Sequence, residues 1–503
     1  MPGNDHAMTA PAMTPPGVVP ALAPTIPAAK PDTPPGVPDG SGASSPMHPR
    51  VAQAHAFLDI WLEAVRDYEQ VPGLVVEVVH AQETVYSRAF GVADRERQLP
   101  ATPGSIFSVC SISKLFTALA ILQLRDAGKL RLDDPVALHL PWFRLDGADP
   151  LDAPVTIEAL LTHTAGLPRE ADFPYWTGPE FSFPRRDEVI EKLPGQAMLH
   201  PAEHRYQYSN LGSTLLGEVV AAVAGEPYDS YIRRMLLEPL GLASTTPDIP
   251  LGERGRRLAR GYTALRRGGG REPVPFFKTN GLAPAAGFAS TAEDLAAFAK
   301  WQFRALAERG NAAVLSGNTL REMQRVQYVD YEAEAVRGLG FGVWREGGKT
   351  FVGHGGSCPG HRAQLTLQVD EQVAVVVLAN AQGVDTKHLA QVVYQVMAPA
   401  LRAARQDPQG AATTARHGAF AGVYDTGFAS ELAVIPWEND LLAVELPSHQ
   451  PLREAVRLRR AGDTTFRRVR KDESLAEPVE FELNALGKGT ALRWHQNRAR
   501  LVR

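Results

Sequence analysis

Phe107-Ser108-Val109-Cys110-Ser111-Ile112-Ser113-Lys114-Leu115-Phe116-Thr117-Ala118 is the stretch from which the rest of the chain is read. It places Ser111 three residues before Lys114, where an apolar run of helical period begins. Leu115, Leu119 and Leu122 recur at the spacing of a buried helical face, and Gly128 supplies a C-terminal stop. Positions three apart share a helix face, so the Ser111 hydroxyl and the Lys114 amine can meet. A hydroxyl is a poor nucleophile until a base takes its proton. A lysine serves as that base when burial and nearby positive charge lower its pKa. The start of a largely apolar helix supplies both, because the helix dipole adds positive potential there.

Ser-x-x-Lys recurs by chance, and two later stretches give it weight. Tyr208-Ser209-Asn210 follows a polar loop and precedes a helical run from Leu211 to Ala224. His354-Gly355-Gly356 ends an apolar strand, Thr350-Phe351-Val352, after a Gly347-Gly348 turn. In this order and context the three resemble the penicillin-recognising serine hydrolases, in particular the class C β-lactamase branch with its D-peptidase and esterase relatives. Gly91-Val92-Ala93-Asp94, the run from Leu160 to Leu167 and the run from Gly287 to Leu295 are similar to the same family. The resemblance spans roughly Val51 to Arg402.

That resemblance implies two-step acyl transfer without a cofactor. Ser111 is the expected nucleophile, and Lys114 with Tyr208 the expected proton acceptor and donor. A phenol of ordinary pKa near 10 needs a cationic neighbour such as Lys114 to reach its anionic form. Asn210 is expected to hydrogen-bond Lys114 or a substrate amide. By analogy with the family, the backbone N–H groups of Ser111 and Ser357 form the oxyanion hole, with Gly355 and Gly356 clearing room for substrate along the strand edge. His354 stands where the lactamases carry lysine. An imidazole of ordinary pKa near 6.5 is mostly neutral at about pH 7.5, so substrates without an obligatory carboxylate beside the reacting carbonyl are expected. The leading reading is a hydrolase of D-amino-acid-type peptides or esters. A β-lactamase and a non-catalytic, filament-forming scaffold of the same fold are the alternatives. The implied partner is a small molecule or short peptide.

The fold class follows from how the elements are distributed. Helix-patterned residues from Val51 and strand-like runs over Gly73–His80 and Thr84–Phe90 open the region. Helical segments fill Ser111 to about Arg321, and strands return at 339–345, 350–352, 362–369 and 373–378 before a last helix over His388–Arg402. This predicts an α/β (α+β) domain over 50–403, one antiparallel β-lactamase/transpeptidase-like sheet closed by distant segments, with a helical lobe inserted. A polar linker, 404–417, leads to about seven short strands over 418–503, predicting a small antiparallel, lipocalin-like β-barrel. Its role in covering the cleft, dimerising or binding a ligand is left open. Residues 1–49 hold thirteen of the 40 prolines and no apolar period, as in a disordered tail.

Other classes are set aside. Net charge is −4 over 503 residues, which points to no polyanion or membrane-surface partner and leaves a homo-oligomer open. No apolar run reaches the roughly 18 residues of a membrane span. The start lacks a basic region and its mildly apolar run is broken by Pro20, Pro24 and Pro27, so a cytoplasmic location is expected unless the start is misassigned. Gly338-Leu339-Gly340-Phe341-Gly342 precedes a strand rather than a helix and is no dinucleotide loop. In Gly355-Gly356-Ser357-Cys358-Pro359, Pro359 replaces the second glycine of a nucleophile elbow. The histidines lack metal-site spacing, so no metal is expected. Arg254–Arg271 carries seven arginines among glycines and reads as a solvated loop, with a rim role towards anionic substrates as the lesser alternative. Cys110 and Cys358 are too few for a disulfide framework; both flank the motifs and could approach each other, but they read as two small buried packing residues. His163 reads as a structural hydrogen-bonding residue.

Overall fold

The two ends of the 50–403 region meet in one sheet. The computed structural model describes residues 47–145, 153–308, 314–408, 417–427 and 430–503. The tail expected over 1–49 lies outside the described residues as far as Pro46, as do residues 409–416 of the expected linker. Helix α1 (Pro49–Tyr68) leads into strands β1 (Gly73–His80), β2 (Glu83–Asp94) and β3 (Leu99–Pro100). Much later come β4 (Tyr328–Asp330), β5 (Ala335–Arg337), β6 (Gly342–Glu346), β7 (Lys349–Cys358), β8 (His361–Gln368) and β9 (Val373–Ala379). All pair antiparallel in the order β3-β2-β1-β9-β8-β7-β6-β5-β4. The joint is β1 against β9, in register from Leu74 opposite Ala379 to His80 opposite Val373. Every residue of β9 is buried, as its unbroken Val-Ala-Val-Val-Val-Leu-Ala run requires of a strand covered on both faces.

One face is covered by α1 and by α5 (Thr386–Gln406), whose Phe57, Trp61, Val393 and Met397 share a core with Val76 and Val377 of the sheet. The other face meets α4 (Ala292–Ala307) and the helical lobe, which includes α2 (Ser113–Asp126) and α3 (Asn210–Ala224). Helix α5 runs four residues past the expected Arg402, because Ala403-Ala404-Arg405-Gln406 are good helix formers. Strand β7 also runs further than Thr350–Val352. Its glycine-rich half has no apolar pattern, yet it pairs with β8 from Leu365 opposite His354 to His361 opposite Cys358.

After the linker, eight strands close into an antiparallel barrel in sequential order: β10 (Gly422–Asp425), β11 (Glu431–Trp437), β12 (Asp440–Leu446), β13 (Val456–Arg460), β14 (Thr465–Val469), β15 (Leu475–Leu483), β16 (Gly489–Trp494) and β17 (Asn497–Leu501). The strand beyond the expected seven is β13, Val-Arg-Leu-Arg-Arg, in which Leu458 alone is fully buried. Phe420, Phe466 and Phe481 fill the barrel interior. Its outer face packs on the α1 side of the catalytic region, where Ile435, Leu442 and Val444 join the α1–α5 core and the Trp61 indole donates to the Ser448 carbonyl at 2.9 Å. Among the described residues, none from the barrel lines the cleft at Ser111.

Helix α2 is fixed by an aromatic stack. Phe116 lies between Phe288 and Phe298, with ring centroids 4.9 and 4.8 Å away. Truncating a buried aromatic of this kind costs about 3–5 kcal/mol. Phe116→Ala is expected to lose that much in a denaturant titration, and a loss under about 1 kcal/mol would show that the stack does not hold α2.

Candidate active site

The Ser111 turn is a single 3₁₀ turn, Cys110–Ile112, placed directly before α2. Two serines compete for the nucleophile's role by sequence, and their surroundings differ. Ser113 is fully buried, its hydroxyl donating to the Cys110 carbonyl and accepting from the Phe288 N–H at 3.0 Å. Ser111 lines an open cleft of about 890 Å³.

Lys114 is buried beneath Ser111. Its ammonium donates to Ser111 Oγ at 3.2 Å, Asn210 Oδ1 at 2.8 Å and the Ala285 carbonyl at 2.8 Å. Burial lowers its pKa from the ordinary value, against the opposing pull of Tyr208 and Glu170. Tyr208 enters from the loop before α3, where Ser209 caps the helix by accepting from the Gly212 N–H at 2.8 Å. The Lys114 ammonium and the Arg169 guanidinium each lie 4.9 Å from the centre of its ring. Burial pushes the phenol up, but the Lys114 charge, hydrogen bonding by Lys114 and Ser111, and Arg337 together leave it below its ordinary value.

Strand β7 forms the opposite wall. At Gly356 a Cβ would lie 2.2 Å from the Val109 carbonyl oxygen, so only glycine permits this approach of strand to turn. The two elements are also joined covalently. Cys110 and Cys358 form a disulfide, with Cα atoms 5.8 Å apart, which corrects the reading of them as unlinked packing residues. They are 248 positions apart in sequence, so only the fold brings them together. Ser357 and Gly355 line the cleft beside them. His354 is buried and its Nδ1–H donates to the Gly355 carbonyl at 2.6 Å, leaving Nε2 as a bare acceptor without a partner. Burial, then Lys114 and Arg337, hold its pKa down to about 3.

Ser111, Lys114, Tyr208, Asn210, His354, Gly355, Gly356 and Ser357 thus come together at one cleft. His163 ends a short helix with φ of 60°; its Nδ1 accepts from the Ser209 N–H at 3.3 Å and its ring lies 4.5 Å from that of Tyr208. Sequence reasoning missed Glu170, whose two carboxylate oxygens each accept from the Asn210 Nδ2 at 3.0 Å, turning Asn210 Oδ1 towards Lys114. Its position just past the family-like Leu160–Leu167 run was the available signal. The cleft's arginines, Arg169, Arg337 and Arg362, were missed as well, and none belongs to Arg254–Arg271. Arg271 of that run is buried, donating to the carbonyls of Glu69, Thr263 and Gln382. Among the described residues, no three His, Cys, Asp or Glu side chains converge as a metal set.

Ser111 at the cleft, Lys114 buried beneath it and Tyr208 beside them all lie within the stretch matched by one family model. The chain belongs to the Beta-lactamase family, whose model it matches over residues 61–397. A β-lactamase-like protein 2 from Dictyostelium discoideum is 28% identical over 201 residues, covering 39% of this chain and 37% of that protein, so the match spans little more than a third of that relative's length. In fold the chain is similar to the octameric penicillin-binding protein homologue of Pyrococcus abyssi (TM-score 0.59, 24% identity, 89% of this chain and 99% of that one). It is similar too to EstCE1, a hydrolase with promiscuous acyltransferase activity (TM-score 0.58, 24% identity, 69% and 98%). The protein is thus a Beta-lactamase family member of mixed α/β fold with a C-terminal barrel.

Three buried histidines give the structure a pH signature. His354 is held down to about 3, His361 to about 4 by burial, and His163 well below its ordinary value by burial and Arg337. The unfolded chain takes up protons near pH 6.5 that the folded chain excludes, so their contribution is complete above that pH and is lost as pH falls towards the folded values. His354 and His361 are each expected to cost roughly 1.5 kcal/mol between pH 6.5 and 5, with His163 acting in the same direction. Urea midpoints at the two pH values should show the loss, and His361→Gln should shrink it. An unchanged pH dependence in that variant would refute the assignment.

Proposed function

We propose that the chain is a serine hydrolase acting through an acyl-enzyme on D-amino-acid-type peptide or ester bonds. The observation that carries this is the buried Lys114 ammonium on Ser111 Oγ at 3.2 Å, beside a phenol drawn below its ordinary pKa. Ser111 Oγ attacks the carbonyl carbon while its proton passes to the Lys114–Tyr208 pair. The N–H groups of Ser111 and Ser357 hold the oxyanion; losing one such donor typically costs about 10²–10³ in turnover. Tyr208 returns the proton to the leaving nitrogen or oxygen as the bond to it breaks. Water then repeats the sequence on the acyl-enzyme, giving its proton to the same pair and restoring Ser111. Asn210 and Glu170 are positioning residues for Lys114. The Cys110–Cys358 bond favours an oxidising compartment over the cytoplasm.

A fluorophosphonate probe is expected to label wild type once and Ser111→Ala not at all, with Ser111→Ala folded and inactive. Labelling that survives in Ser111→Ala and disappears in Ser113→Ala would move the nucleophile. Lys114→Ala and Tyr208→Phe should each reduce kcat/KM by orders of magnitude, and the double variant by little more than the worse single one. Multiplicative losses would mean that the two act independently.

The β-lactamase reading is weakened by His354. With Nδ1–H committed to Gly355, the face it can offer is a neutral acceptor, which gives a carboxylate beside the scissile bond no charge and no donor. One charged hydrogen bond is worth about 1.5–3 kcal/mol. p-Nitrophenyl butyrate or a D-alanine anilide should therefore exceed nitrocefin in kcat/KM by roughly 10²-fold. If nitrocefin is the best of the three, the peptidase/esterase reading falls.

A further inference from the structure

The cleft is more positive than the chain that contains it. Arg169, Arg337, Arg362 and Lys387 line it, and Asp385 is the one acid among its lining residues, in a chain of net charge −4. Two of the arginines are engaged. Arg169 pairs with Glu170 at 3.2 Å, and Arg337 donates to the Tyr206 hydroxyl and lies 4.8 Å from its ring centre. Arg362 is not. Among the described residues its guanidinium makes no hydrogen bond and no ion pair, and its buried Nε has no acceptor. A guanidinium offers five N–H donors in a planar fork, and one without a protein partner at a cleft is free to pair with a ligand's carboxylate.

The sheet register fixes where this cation sits. Arg362 on β8 stands directly opposite Ser357 on β7, on the same face of the sheet and about 4.8 Å away across the strands. Its neighbour on that face, Gln364, stands opposite Gly355, whose missing side chain makes room for the Gln364 amide, since a Cβ there would lie 2.9 Å from its Oε1. The start of α5 closes the same end. Asp385 caps it by accepting from the His388 N–H at 3.0 Å, and Lys387 follows, its ammonium 5.3 Å from the Trp344 ring centre and without a carboxylate partner. The N-terminal turn of this 21-residue helix adds positive potential to the cleft.

The direction of the reaction says which half of a substrate reaches them. Tyr208 returns the proton to the leaving group, and its ring lies 6.4 Å from that of His354, so the leaving group occupies the His354 end. Ser357 is three residues further along β7, roughly 10 Å at the rise of an extended strand. The acyl half runs that way. Resting on the serine-hydrolase reading above, we infer that the site selects acyl groups bearing a carboxylate remote from the reacting carbonyl, held by Arg362 in a bidentate pair. An ω-carboxyacyl group or an acyl residue with an acidic side chain has this chemistry. Charge selection is thus moved from the leaving-group end, where His354 is neutral, to the acyl end.

Mono-4-nitrophenyl adipate and its neutral methyl ester differ in that one charge. Wild type is expected to favour the carboxylate at least about tenfold in kcat/KM at low salt, with the preference shrinking as ionic strength rises. Arg362→Gln should bring the ratio to within about twofold of unity, and Arg362→Glu should invert it. Binding is read separately by calorimetry on the Ser111→Ala protein, with adipic acid monoanilide against its methyl ester, with and without Arg362→Gln. Equal affinity of Ser111→Ala for the two anilides, or a preference that Arg362→Gln leaves intact, overturns the inference. Charge-dependent binding without turnover of either ester would instead defeat the hydrolase reading and leave the subsite standing.

Discussion

An ammonium taken out of water must be given acceptors in its place, and Lys114 sets that demand at the centre of this fold. Its three donors are met by three separate pieces of chain: the serine turn, the first residue of α3 and the carbonyl of Ala285. Withdrawing one partner from a buried charge typically costs about 3–5 kcal/mol, so these segments are held to one another as firmly as a core is. The demand propagates outward. Asn210 presents its oxygen rather than its amide nitrogen because Glu170 occupies the nitrogen, and Glu170 is in turn engaged by Tyr175. An acid two steps from the chemistry thereby decides which atom the lysine meets.

A second constraint brings the strand edge to the serine. Gly356 lets β7 approach the Val109 carbonyl, and Cys110–Cys358 ties the residue before Ser111 to the residue after Ser357. A bond closing so long a loop removes freedom from the unfolded chain worth a few kcal/mol in the loop-entropy picture. Its placement has a further effect: the two backbone N–H groups proposed for the oxyanion belong to residues directly adjoining the two cysteines. The sheet that carries β7 is itself closed by β1 against β9, so the wall opposite Lys114 depends on a pairing between segments some three hundred residues apart.

What could be read from the chain and what could not divide along physical lines. Ser111 and Lys114 were legible because their relation is local, three positions on one helical face. Tyr208 and His354 were legible only through the order of motifs, since nothing in either stretch states that the two rings lie 6.4 Å apart. The glycine-rich half of β7 has no period to detect, and β13 alternates arginines around a single buried leucine. The disulfide, Glu170 and Arg362 were hidden for one reason: each acquires its meaning from a residue distant in sequence, and register or loop path alone supplies the partner. The run of arginines at 254–271 shows the converse, a conspicuous composition whose members pair locally, Arg271 with three carbonyls, Arg260 with Glu96 and Arg266 with Glu272.

The electrostatics of His354 follow from those two constraints together. The ring is packed between a buried ammonium and the Arg337 guanidinium, both of which oppose a third charge, and burial opposes it more strongly still. A lysine at this position would add a permanent cation close to Lys114 and press the Lys114 pKa further down. With a neutral imidazole there, the lowering of Lys114 is left mainly to its own burial, and the low-lying phenol of Tyr208 is left mainly to Lys114. Replacing the cation by histidine therefore couples the proton pair more tightly to itself and frees the leaving-group end from any fixed demand for charge. Arg169 and Arg337 supply positive potential beside Tyr208, whereas Arg362, directly across the strands from Ser357, supplies it further along the cleft.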